Sequence, residues 1–157
     1  MRFRFWLTAF AVLALDQYTK HIVATDFAPG ESRIFIPHIL WWTYIQNHTG
    51  AFGLFGSQPV LLIGLALAVL GIFWFAFRDQ AGSSGLVQIA FGAIAGGAFG
   101  NIIDRVRLGY VVDFADLRWW PVFNVADSCI TLGVGLLILG SIYGERHAAR
   151  AESQRPG

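Results

Sequence analysis

Pro59-Val-Leu-Leu-Ile-Gly-Leu-Ala-Leu-Ala-Val-Leu-Gly-Ile-Phe-Trp-Phe-Ala-Phe77 contains no charged residue and no side-chain amide. A helix rises about 1.5 Å per residue, so this stretch spans nearly the ~30 Å hydrocarbon core of a bilayer. Three other segments have similar length and an apolar character: Phe5 to Val23, Gly85 to Ile103, and Val125 to Tyr143. The chain as a whole agrees. Of its 157 residues 55% are hydrophobic and 13% charged, against about 25% charged in a soluble domain. Its mean hydropathy is +0.56. The pattern predicts an all-α integral membrane protein with four transmembrane helices. Net charge is +1, which gives no case for nucleic acid.

The start, with Arg2 and Arg4 before an apolar run, imitates a secretory signal. It leads into Asp16-Gln-Tyr-Thr-Lys20 without a convincing small-residue processing site, so it reads as a retained first span. Gly92, Gly96 and Gly100 recur at four-residue spacing in the third span, a pattern that lets membrane helices approach closely. The N-terminal arginines, Arg78, Arg146, Arg150 and Arg155 fall on one side, and Arg33, Arg105, Arg107 and Arg118 on the other. The bias places both termini in the cytoplasm. Residues 1–144 then form one transmembrane domain and 145–157 a polar cytoplasmic tail. Outside lies Ile34-Phe-Ile-Pro-His-Ile-Leu-Trp-Trp-Thr-Tyr-Ile-Gln46, followed by Gly50 and Gly53. Its β-branched and aromatic residues predict a small extracytoplasmic β-rich element. Trp41, Trp42, Trp119 and Trp120 suit the headgroup zone.

Charged residues in such a chain are costly, about 2.5–3.5 kcal/mol at a helix centre. Asp16 and Lys20, at i,i+4, read as a local ion pair. Asp104 shares a helix face with Gly97 and Asn101 and reads as a structural carboxylate paired with Arg105, Arg107 or a neighbouring strand. Asp113 differs. It stands in Gly109-Tyr-Val-Val-Asp-Phe114 among apolar neighbours, where desolvation favours the protonated acid. In Phe123-Asn-Val-Ala-Asp-Ser128, Asn124 suits an N-cap and Asp127 the N3 position, where first-turn amides favour a charged carboxylate. Two such unlike acids are what water activation and carbonyl protonation require. Two charges about 4 Å apart repel by about 4 kcal/mol at an effective dielectric near 20, enough to hold one proton between them. Spacing alone does not bring residues 113 and 127 together.

Other chemistries are less well supported. There is no HExxH motif and the four histidines are scattered, so neither a metal site nor a cofactor is expected. Ser128 with Lys20 forms a weaker hydrolase candidate. Cys129, the one cysteine, reads as a packing residue. Outside enzymology, a small transporter or channel subunit with an intramembrane polar path is the main alternative, and a non-catalytic assembly factor a third.

Asp16-Gln-Tyr-Thr-Lys20, Gly96-Gly-Ala-Phe-Gly-Asn-Ile-Ile-Asp-Arg105, Gly109-Tyr-Val-Val-Asp-Phe114 and Phe123-Asn-Val-Ala-Asp-Ser128 together resemble bacterial lipoprotein signal peptidase, also called signal peptidase II. The likeness covers nearly the whole chain. It implies an aspartyl endopeptidase of the bacterial inner membrane that cuts prolipoproteins before a diacylglyceryl-modified cysteine, near the outer face. It also implies a catalytic pair at Asp113 and Asp127, and substrate-positioning roles for Asn47, Asn101, Arg105 and Asn124. Membrane lipid as a partner and inhibition by globomycin belong to the same implication. In one place the chain departs from the family pattern. Asn47-His-Thr-Gly-Ala-Phe52 stands where the family has Asn-Thr-Gly-Ala-Ala-Phe, which keeps Asn47 and Phe52 and displaces Thr and Gly by one.

Overall fold

The computed structural model describes residues 3–49, 58–78 and 84–153. The chain folds into four helices and a three-stranded sheet: α1 (Phe3–Asp26), β1 (Ser32–Ile36), β2 (Leu40–Asn47), α2 (Pro59–Phe77), α3 (Gly85–Leu108), β3 (Val111–Asp116) and α4 (Val125–Ser153). Helix α2 matches its predicted bounds. Pro59 starts it, at a position where a missing N–H costs nothing. Helices α1 and α3 run a few residues past their predicted ends, and α4 continues to Ser153. Gly50, Phe52 and Gly53 lie outside the described residues, as do residues 154–157.

Helix α3 is the centre of the bundle. Its glycines let two neighbours come close. A Cβ on Gly92 would stand 2.6 Å from the Phe5 carbonyl of α1, and one on Gly97 would stand 2.6 Å from the Ala126 carbonyl of α4. The small-residue stripe is thus a packing surface, as its spacing predicts. Phe5, Val87, Phe91, Ile94 and Leu137 fill the core where α1, α3 and α4 meet. Phe10, Leu15 and Tyr18 of α1, with Val60, Ile72 and Phe75 of α2, are exposed. By length and composition α2 and α3 suffice to cross a membrane.

The sheet has the order β1-β2-β3, all antiparallel. Strands β1 and β2 overlap the predicted β-rich stretch, starting two residues before it and ending one residue after it. Strand β3 was not foreseen, although Val111-Val-Asp-Phe114 carries the composition of a strand. One face of the sheet packs Val23, Tyr44, Val112 and Phe114 together. Trp42 sits against Phe114, with ring centroids 5.6 Å apart. It is therefore half-buried in the sheet's own core, whereas Trp119 and Trp120 are exposed. Helix α3 ends at Gly109, whose φ of 80° is open to glycine at little cost and whose N–H caps the Arg105 carbonyl. The reversal there feeds directly into β3.

Candidate active site

Asp113 enters the site from β3 and Asp127 from the first turn of α4. The chain between them doubles back. Phe123 bridges to Ala115, with its N–H donating to the Ala115 carbonyl at 3.1 Å and its own carbonyl accepting from Ala115 at 2.7 Å. Asn124 therefore lands beside Asp113 just as α4 begins. Its side chain faces both ways. Nδ2 donates to Asp113 Oδ1 at 2.7 Å, and Oδ1 accepts the Asp127 amide at 2.9 Å. Asp127 Oδ2 returns to the Asn124 amide at 3.3 Å, which completes the reciprocal N-terminal box foreseen from the sequence.

The other expected site residues gather here. Asn47 Nδ2 donates to Asp113 Oδ2 at 2.8 Å. In the sheet register Asn47 pairs with Val111, so it reaches Asp113 diagonally across one face. Its amide is oriented by the following turn, where the Thr49 N–H donates to Asn47 Oδ1 at 3.1 Å. The displaced motif thus still supplies a backbone donor that aims Asn47. His48 is exposed, its ring 5.2 Å from that of Tyr110. Asn101 Nδ2 donates to Asp127 Oδ1 at 2.9 Å. Arg105 donates to the Asn101 carbonyl at 3.4 Å, and its buried Nε has no partner among the described residues. Asn47, Asn101, Arg105, Asp113 and Asp127 all line one cavity of about 550 Å³, closed elsewhere by Trp120 and Phe123. A second cavity of about 240 Å³, lined by Leu62, Leu65, Val69 and Ile94, also reaches Asp127 and lies along α2.

Asp113 is 2% exposed. Burial, and then the neighbouring Asp127 charge, push its carboxyl up to about 7, while hydrogen bonds from Asn47 and Asn124 pull the other way. The protonated acid expected from its apolar surroundings is thus reinforced by the second aspartate.

Asp16, Lys20 and Asp104 lie one layer behind. Lys20 Nζ is 2.8 Å from Asp16 Oδ2 and 3.0 Å from Asp104 Oδ2, and it donates to Asn101 Oδ1 at 2.8 Å. The Asp16–Lys20 pair expected from i,i+4 spacing is present. Asp104 takes Lys20 as its ionic partner, together with the β3 amide of Val112 at 3.1 Å, and neither arginine forms an ion pair with it. Gln17, which the sequence did not mark, donates to Asp104 Oδ1 at 2.9 Å. Its only sequence signal was adjacency to Asp16. The Ser128–Lys20 pairing does not form. Ser128 Oγ donates to the Asn124 carbonyl, and all three Lys20 donors are occupied by Asp16, Asp104 and Asn101.

The model of the family described as "Signal peptidase (SPase) II" matches residues 8–143. The lipoprotein signal peptidase of Syntrophomonas wolfei is 43% identical over 150 residues, covering 94% of this chain and 99% of that one. That of Moorella thermoacetica is 43% identical over 133 residues, 85% of this chain and 89% of its own. A solved bacterial membrane enzyme superposes with a TM-score of 0.79 at 35% identity, covering 87% of this chain and 86% of the other. The transporter alternative finds no support among these relatives. The chain belongs to the signal peptidase II family, aspartyl intramembrane peptidases that process lipoproteins.

Proposed function

We propose that Asp113 and Asp127 are the catalytic pair, and that the chain cleaves prolipoproteins before the diacylglyceryl-modified cysteine. The observation that carries this reading is the Asn124 side chain, which bonds to the Asp113 carboxyl and the Asp127 amide across a cavity that both acids line. Asp127 acts as the base that deprotonates water. Asp113, held protonated by burial and by its neighbour, donates to the scissile carbonyl. The water proton held by Asp127 then passes to the leaving amine as the tetrahedral intermediate collapses, and Asp113 takes back a proton from the hydroxyl that becomes the new carbonyl. Such a pair shares its proton, so the roles exchange within each turnover. Asn47 and Asn101 orient the carboxyls. Asn124, buried and bonded to Asp113, does the same, and Arg105 presents a donor to the substrate backbone, which its Nε, without a partner among the described residues, supports. No cofactor takes part.

The substrate's acyl chains remain in the bilayer, where burial is worth about 0.8 kcal/mol per CH₂, and the apolar cavity along α2 gives lateral access. The even helix count and the arginine distribution support four spans, cytoplasmic termini and a site near the outer face of the bacterial inner membrane. Globomycin-type peptides would compete at the same cavity. The test is incubation of purified protein with a diacylglyceryl-modified precursor, reading product mass, with an unlipidated precursor as control. Asp113→Asn and Asp127→Asn must each abolish cleavage while the protein stays folded. Cleavage surviving in either variant removes that residue from the catalytic pair.

A further inference from the structure

Behind the two aspartates, one buried ammonium meets three oxygens. Lys has three N–H donors and no acceptor. Here all three are used within 3.0 Å, by Asp16 of α1 and by Asp104 and Asn101 of α3. Lys20 is 3% exposed, Asp16 0% and Asp104 4%.

What these partners do next is specific. Asp16 Oδ1 accepts the backbone N–H of Ala126 at 2.9 Å. Asp104 Oδ2 accepts the backbone N–H of Val112 at 3.1 Å. Ala126 immediately precedes Asp127, and Val112 immediately precedes Asp113. The third oxygen, on Asn101, belongs to the side-chain amide whose Nδ2 holds the Asp127 carboxyl at 2.9 Å. An arrangement that only anchored α1 to α3 would not need to reach both of these amides. Ala126 lies in the first turn of α4, where an amide has no intrahelical acceptor. Its partner comes from the far end of the sequence. Gly100, whose absent side chain leaves room for the Asp16 carboxyl, permits the approach.

We infer that Lys20, acting through Asp16 and Asp104, is a positioning residue that sets the separation of the Asp113 and Asp127 backbones, and through Asn101 the orientation of the Asp127 carboxyl. The inference rests on the catalytic pairing proposed above. One cation thereby ties β3 to the start of α4. The tie carries no bond to substrate, so its loss falls on turnover and leaves substrate affinity in place.

Two measurements test this. The first uses the wild-type protein in detergent and needs no activity. Amide hydrogen exchange at Ala126 and Val112 should be as slow as in the middle of α3, although neither amide sits in a helical ladder. Exchange as fast as in the exposed loop near Trp119 overturns the clamp. The second compares Lys20→Met/Asp104→Asn, which removes one charge of each sign, and Asp16→Ala, which removes the acceptor of the Ala126 amide together with the Lys20 contact. A misplacement of about 1 Å costs roughly 10²-fold in rate. Each folded variant should therefore lose about 10²-fold in kcat with KM within about twofold of wild type. Folded variants with wild-type kcat, or with the whole loss in KM, overturn the inference. If a variant does not fold, the exchange result on the wild type decides. If the wild-type protein cleaves nothing, the pairing of Asp113 with Asp127 fails as a catalytic assignment, and slow exchange at Ala126 and Val112 still reports the tie.

Discussion

Replacing Asp127 with Asn should lower the pH at which Asp113 titrates. The substitution keeps the shape of the side chain, and its amide still has Asn101 and Asn124 beside it. What it removes is charge. Asp113 stands at about 7, against an ordinary value of 3.8, with burial as the larger cause and Asp127 the second. That rise is worth about 4 kcal/mol, taking 1.36 kcal/mol per unit. Two unit charges roughly 6–10 Å apart at an effective dielectric near 20 repel by about 2–3 kcal/mol, or about one to two units. Burial is the larger cause, and hydrogen bonds from Asn47 and Asn124 offset part of the rise. Asp113 in the variant should titrate between about one and two units lower, yet still above the ordinary range. The assay is carboxyl ¹³C NMR on aspartate-labelled protein in detergent, with Asp113→Asn identifying the resonance. A titration that does not move would mean the two carboxyls do not feel each other, and the acid–base pair would have no physical basis. A fall all the way to 3.8 would mean that burial contributes nothing, against the 2% exposure of Asp113.

The same shift predicts how stability depends on pH. The native state binds the Asp113 proton more tightly than the unfolded chain, so this stabilisation is complete below about pH 3.8 and is lost as pH rises through about 7. The thermal midpoint of wild type should fall between pH 5 and 8, and that of Asp113→Asn should be flatter; parallel slopes would contradict the assignment. Asn124→Ala removes an N-cap and the link between the two acids, which should cost about 1 kcal/mol in denaturant unfolding and more than tenfold in kcat. Thr49→Pro removes the amide that aims Asn47, whereas Thr49→Ala keeps it. Cleavage should fall several-fold in the first and stay near wild type in the second; equal loss in both would place the effect in the Thr49 side chain. Gly92→Leu drives a side chain into the Phe5 carbonyl and should abolish monodisperse folded protein on size-exclusion chromatography, since backbone there cannot yield cheaply.

The sequence carried the helices because their signal is local. An uninterrupted apolar run and a glycine period can be read without knowing any partner, and α2 appears with its predicted bounds. The Asn124–Asp127 box was legible for the same reason, since both ends lie within one turn. Strand β3 was less so. Its ladder partner is 66 residues away for the Asn47–Asp113 bond, and the six residues of Val111–Asp116 are too few to assert a period. Asp104 illustrates the limit. The sequence offered two nearby arginines as partners, and a neighbouring strand. The fold supplies that strand and adds Lys20, because α1 and α3 pack closely enough to bring the ammonium within 3.0 Å. Which cation is nearest in space is a property of the packed bundle and leaves no mark on spacing.

The buried polar layer also explains why so small a chain can hold two acids close together. Each unpaired buried ion would cost several kcal/mol, and like charges add to that. Here the layer leaves few groups without a partner. Lys20 pairs with the two carboxylates nearest to it, Asn101 and Asn124 turn their amide donors toward the site, and Gln17 takes the remaining Asp104 oxygen. Among the described residues, Arg105 Nε is a buried donor of the cavity wall still without an acceptor. An unsatisfied buried N–H costs about 1–3 kcal/mol, and a substrate carbonyl bonded to it would recover that energy. On the proposed reading, the same chemistry that makes the resting site expensive would favour its occupation, and would direct the peptide's carbonyl into the cavity that Arg105 lines with Asp113 and Asp127.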